Sequence, residues 1–242
     1  MADIRDIEVV VFDILGTLVD ESGGLRAEIR DALPAPDDGS GDGADGRADD
    51  RFVAELLTMW QRHVETEQRR IGQGHRAYAD SEVIDTEAAQ LVADRAGLTD
   101  PATIARLATA TRRLPPWGDS VAALERLARH LPVLGLSNAA RTALLRLNAH
   151  AGLRWHQVLS GEAVLAYKPA PEVYRLAVDT AGHPPERVLM VAAHAWDLRG
   201  ARASGMRTAY VHRPVGDPPT DSDAFDRRFD GLDDLVTALT AR

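Results

Sequence analysis

Apolar positions change their period twice along this chain. The run Ile7-Glu8-Val9-Val10-Val11-Phe12 is apolar and rich in β-branched residues. It predicts a buried strand, and Gly16 soon after Asp13 ends that strand in a tight loop. The helical material that follows is polar at first. Residues 34–50, PAPDDGSGDGADGRADD, are almost wholly Gly, Asp, Ala and Pro, which predicts a solvated, mobile loop. From Phe52 to Arg70 the residues Phe52, Leu56, Met59, Trp60 and Val64 recur at helical spacing, and Ala88–Ala96 and Ala102–Arg113 read as two further helices.

After Pro115-Pro116 the pattern alternates between helix and strand. Helices are predicted over Ser120–His130, Thr142–His150, Pro171–Ala181 and Leu198–Ser204. Strands are predicted over Val133–Leu136, Val158–Ser160, Arg187–Val191 and Thr208–Val211. Strands separated by helices imply parallel βαβ units with right-handed crossovers. The expected fold class is therefore α/β, a doubly wound parallel sheet with an inserted helical cap. The core is expected over 1–20 and 113–242, and the cap, including its mobile loop, over 21–112. In such sheets ligands bind beyond the carboxyl ends of the strands. That rule selects Asp13, Ser137-Asn138, Lys168 and the stretch from His194 to Asp197.

Composition narrows the partners. The 242 residues suit one ordinary domain with an insertion, and a net charge of -9 is the wrong sign for holding nucleic acid. Cysteine is absent, which removes thiolate nucleophiles and sulfur-bound zinc. No apolar run is long enough to span a bilayer and the N-terminus has no signal pattern, so no membrane partner is expected and a cytoplasmic location is. A homodimer is left open. Of the 28 basic residues only Lys168 is lysine. A compact ammonium on a flexible stem does what a planar guanidinium cannot, which marks the position for chemistry.

The four strand ends resemble the four motifs of the haloacid dehalogenase superfamily of hydrolases. Asp-Ile-Leu-Gly-Thr at 13–17 resembles its nucleophile loop, Leu-Ser-Asn at 136–138 its second motif, Tyr-Lys-Pro at 167–169 its third, and Ala-Trp-Asp at 195–197 its fourth. The resemblance implies that Asp13 is a carboxylate nucleophile forming a covalent intermediate that water cleaves. It implies that Lys168 sits between Asp13 and Asp197, so that Asp13, Lys168 and Asp197 form the catalytic set. Thr17, Ser137 and backbone amides would hold a small anionic substrate, with Asn138 at the leaving-group side. Leu15, Trp60 and Trp196 would supply dry walls, while Arg62, His194 and Tyr174 complete the candidates. Ser137-Asn138 could instead cap the following helix, or do both, and Tyr174 could simply pack.

Phosphatases of the superfamily carry an acid two residues after the nucleophile and a magnesium-binding acid four before the residue matching Asp197. Here those positions are Leu15 and Ala193. A departing halide needs no proton, and attack at carbon adds no charge to the substrate. The pattern therefore resembles the 2-haloacid dehalogenase branch, which implies no metal and no cofactor. An unusual phosphatase and a catalytically silent ligand-binding relative are the alternatives. Three positions depart from the branch. Leu15 stands where many members have tyrosine. Trp60 is followed by Gln61, with Arg62 one place beyond the family's halide-binding arginine. Ala192 and His194 stand where serine and asparagine are frequent.

Overall fold

The computed structural model describes residues 6–34 and 50–241. Six strands, β1 (Val9–Asp13), β2 (Val133–Ser137), β3 (Gln157–Ser160), β4 (Val188–Ala192), β5 (Arg207–Val211) and β6 (Arg227–Phe229), form one sheet in the order β3-β2-β1-β4-β5-β6. Every neighbouring pair is parallel. A parallel sheet must be covered on both faces, and alternation along the strands achieves it. Val10 and Phe12 of β1, with Leu189 and Val191 of β4, enter one apolar cluster, whereas Val9, Val11, Val188 and Met190 enter the other. Each such side chain, once buried, contributes ~1.5–3 kcal/mol.

Four helices, α1 (Glu21–Ala32), α2 (Asp50–Gly72), α3 (Ser81–Ala96) and α4 (Pro101–Ala108), lie in the chain between β1 and β2. A 3₁₀ turn (Ala110–Arg113) and α5 (Ser120–Leu127) follow them. Asp20, Asp80 and Asp100 cap the first, third and fourth helices by accepting amide hydrogen bonds. Leu25, Ile29, Val53, Leu56, Trp60 and Ala88 join the apolar cluster on the Val10/Phe12 face, so the inserted helices share a core with the sheet. The remaining helices are α6 (Arg141–Ala151), α7 (Pro171–Ala181), α8 (Ala195–Ala203) and α9 (Leu232–Thr240).

Most of these elements stand where the hydrophobic pattern puts them, but the helix expected over 102–113 breaks at Thr109 into α4 and the 3₁₀ turn, α8 starts at Ala195 instead of Leu198, and other differences follow. The loop expected over 34–50 lies outside the described residues except for its two ends, and Asp50 already opens α2. The helix expected from Ala88 starts at Ser81, where Asp80 caps it. The chain adds β6 and α9 beyond the last expected strand, a short edge strand of Arg-Arg-Phe being too polar to register as one. Among the described residues no helix is long and apolar enough to cross a membrane.

Candidate active site

The chain passes from β1 to β2 and β3 on one side, then crosses to β4 on the other, so the crevice opens at the carboxyl end of β1. Asp13 is the last residue of β1 and is 4% exposed. The turn after it requires Gly16, whose φ is +79° and whose place a Cβ could not share with the His194 ring 2.5 Å away. That turn brings Thr17 back over the strand end. Its hydroxyl donates to Asp13 Oδ2 at 2.6 Å and accepts from the Ala193 amide at 2.9 Å.

Lys168 Nζ donates to Asp13 Oδ1 at 2.7 Å, to Asp197 Oδ2 at 2.6 Å and to the Leu136 carbonyl at 3.2 Å. All three donors of the ammonium are thus used. The lysine backbone is fixed too, its amide donating to Asn138 Oδ1 at 2.7 Å. Tyr174, fully buried, donates to Asp197 Oδ1 at 2.7 Å. It fits because Gly200 has no Cβ to meet its ring. Burial works to lower the Lys168 pKa, but Asp13 and Asp197 outweigh it and hold it above the ordinary lysine value. Complete burial pushes Asp197 above the usual carboxylate range, with Lys168 opposing and Asp13 adding to the rise. Burial and the Asp197 charge push the Tyr174 phenol up, which keeps it a donor.

Around this centre Trp196 stacks on His194 with ring centroids 5.9 Å apart, and Lys168 Nζ lies 5.9 Å above the Trp196 ring. His194 Nε2 is 3.2 Å from the Leu15 carbonyl. Ser137 is buried at the end of β2, where its hydroxyl accepts from the Ala139 amide at 3.1 Å. Asn138 reaches the inserted helices, donating to Gln68 Oε1 at 3.2 Å. The structure thus gathers Asp13, Thr17, Asn138, Lys168, Tyr174, His194, Trp196 and Asp197, with Leu15 in the turn. It does not tie in the two α2 candidates. Trp60 is 2% exposed and packs in the apolar core, and Arg62 is exposed with no hydrogen bond or ion pair to the Asp13 cluster. Helix geometry explains the latter, since one residue turns a side chain by about 100°. Gln61, the residue between them, donates to Ser22 on α1 at 3.1 Å.

One acid at the site had no reading from sequence. Glu21 opens α1 and feels His194, Asp13 and Lys168; burial pushes its carboxyl up, with His194 and Lys168 opposing and Asp13 and Asp20 reinforcing. An acid in the first turn of a helix is usually a dipole partner, so the sequence masks it. Among the described residues no group of three or more His, Cys, Asp or Glu is placed to hold a metal ion.

The fold and this constellation define a class of hydrolase. The model of the haloacid dehalogenase-like hydrolases matches residues 7–205, and the chain belongs to that family. It is 31% identical over 214 residues to (S)-2-haloacid dehalogenase H-109 of Pseudomonas putida, covering 87% of this chain and 88% of that one. It is 32% identical over 211 residues to the (S)-2-haloacid dehalogenase of Xanthobacter autotrophicus, covering 86% of this chain and 76% of that one. The solved structure of an L-2-haloacid dehalogenase from Xanthobacter autotrophicus with chloropropionic acid covalently bound superposes with a TM-score of 0.78 at 27% identity. The match covers 97% of this chain and 99% of that one.

Proposed function

We propose that this hydrolase cleaves the carbon–halogen bond of a short 2-haloalkanoic acid, giving the 2-hydroxy acid through an ester on Asp13. The observation that carries this reading is the Asp13–Lys168–Asp197 bridge in a site where Leu15 and Ala193 replace the acids a phosphoryl transfer needs. An Asp13 carboxylate oxygen attacks C2, the new C–O bond forms as the carbon–halogen bond breaks, and the electron pair leaves on the halide. Thr17 and Lys168 hold the carboxylate in one orientation for that attack. Water then adds to the Asp13 ester carbonyl. Asp197, whose raised pKa suits it to accept a proton, is the base, and Lys168 stabilises the developing oxyanion. The ester C–O bond breaks as the departing alkoxide takes the proton held by Asp197, releasing the hydroxy acid, and the new Asp13 carboxyl loses its proton to water to restore the nucleophile. The inserted helices act as a cap that strips water from the nucleophile, with Leu15 and Trp196 as its apolar neighbours.

The reaction needs no metal, because Lys168 already neutralises the carboxylates a magnesium ion would use. The test is single-turnover hydrolysis of 2-chloropropionate in heavy-oxygen water. The first hydroxy acid released should be unlabelled, and the peptide containing Asp13 should carry the label. Label in the first product would mean that water attacks the substrate directly. EDTA should leave the rate unchanged; activity restored only by magnesium, with turnover of p-nitrophenyl phosphate, would make the protein a phosphatase.

A further inference from the structure

The nucleophile turn has no sheet ladder to hold it, yet four successive carbonyls in it are each met by a side chain from elsewhere in the chain. The Leu15 carbonyl faces His194 Nε2 at 3.2 Å, the Gly16 carbonyl accepts from Trp117 Nε1 at 3.0 Å, the Thr17 carbonyl accepts from Arg213 Nε at 2.8 Å, and the Leu18 carbonyl accepts from Ser120 Oγ at 2.7 Å. Arg213 is the centre of this set. It lies just beyond β5 and is 8% exposed, a cation that the proposed chemistry does not use. Its Nη1 donates to Asp119 Oδ2 at 3.0 Å, and Nη2 lies 2.9 Å from Asp119 Oδ1 without hydrogen-bond alignment. Asp119 is itself fixed by the Leu232 amide at 3.0 Å, and the guanidinium lies 5.7 Å above the Trp117 ring.

We propose that Arg213 is a positioning residue for the nucleophile, locking the Thr17 peptide so that the Thr17 hydroxyl holds Asp13 at attack angle. The path is short and continuous. Asp119 orients the guanidinium, Nε takes the Thr17 carbonyl, and Thr17 Oγ donates to Asp13 Oδ2. A peptide whose carbonyl is held on one side cannot rotate to release its side chain on the other. Trp117 extends the clamp to the segment leading out of the inserted helices, where its own amide donates to the Leu18 carbonyl at 3.0 Å. A lysine at 213 could reach the carbonyl or the carboxylate but not fork between them.

This inference rests on the dehalogenase reading only for its kinetic arm. The variants are Arg213→Lys and the double variant Arg213→Met with Asp119→Asn, which removes the arginine without stranding a carboxylate. In the protein alone, amide hydrogen exchange should accelerate ~10-fold or more in the peptide spanning 14–18, with β2 and β4 unchanged. In single-turnover halide release from 2-bromopropionate, the rate constant should fall ~10- to 10²-fold at full amplitude. Millimolar guanidinium should restore part of the loss in the double variant. Uniform exchange changes across the protein, or a lower amplitude with an unchanged rate constant, would make Arg213 merely structural and overturn the proposal. If the wild type releases no halide, the functional reading fails, and the exchange pattern still decides the role of Arg213.

Discussion

At the scale of single residues the site is a problem in charge. Lys168 spends every donor on fixed groups, the Leu136 carbonyl of β2, the Asp13 carboxylate at the end of β1 and the Asp197 carboxylate in the first turn of α8. A guanidinium is wider and spreads its charge, so Lys168→Arg should lose ~10²-fold or more in turnover, about 3 kcal/mol of transition-state stabilisation, nearly as much as Lys168→Ala. Halide release by each purified variant checks this, and near-normal activity in the arginine variant would mean the ammonium is replaceable. Glu21 raises a second charge question. Its pKa is held above the ordinary glutamate value by burial, against the pull of His194 and Lys168, so it ionises later than a free glutamate as pH rises. Once ionised it repels an anionic substrate. KM should therefore climb with pH above the ordinary glutamate range, and Glu21→Gln should flatten that climb while leaving kcat within a few-fold. Measuring KM across pH for both proteins decides it, and parallel profiles would remove Glu21 from the binding site.

At the scale of elements, what the sequence made legible follows from period and place. β1 read as a strand because all of its apolar residues are buried between two neighbours, and the motif residues stood out because each follows such a run. Arg213 could not be seen this way, since its partner Thr17 is 196 positions away and no local pattern links them. The start of α3 was hidden for another reason. Its buried stripe runs through Ser81, Ile84, Asp85, Ala88, Ala89, Val92 and Ala93, so a polar first half carries an apolar second half. Asp85 is the cost of that arrangement. It is 5% exposed, takes a hydrogen bond from Thr111 at 3.0 Å, and is pushed up to about 7 by burial, with Thr111 opposing and Glu21, Glu82 and Asp80 adding to the rise. A folded pKa above the unfolded one means that stability is fully present below the unfolded value and declines as pH rises towards 7. The decline is on the order of 4 kcal/mol. Asp85→Asn keeps an acceptor for Thr111 and removes the charge. Its melting temperature should exceed that of the wild type at pH 8 and match it near pH 4, and an equal gap at both would show that folding leaves the Asp85 pKa at its unfolded value.

At the scale of the whole molecule the net charge of -9 sets the field through which an anionic substrate must approach. Spread over a sphere of radius about 20 Å, such a charge repels a monoanion at its surface by ~1–2 kcal/mol in unscreened water. Salt shortens the reach of that repulsion. The Debye length falls from about 30 Å at 0.01 M ionic strength to about 8 Å at 0.15 M, which reduces the penalty by roughly half a kilocalorie per mole. For a 2-haloacid carboxylate, kcat/KM should therefore rise about two- to threefold over that range, whereas kcat, measured with substrate already bound, should stay constant. The salt should be a sulfate, since added halide would compete with the leaving group's site. Because Asp13, Asp197 and Glu21 face a single Lys168, the crevice has no surplus of positive charge among these four groups to invert the sign. A fall in kcat/KM with rising salt would show a locally positive entrance that draws the anion in against the charge of the whole molecule.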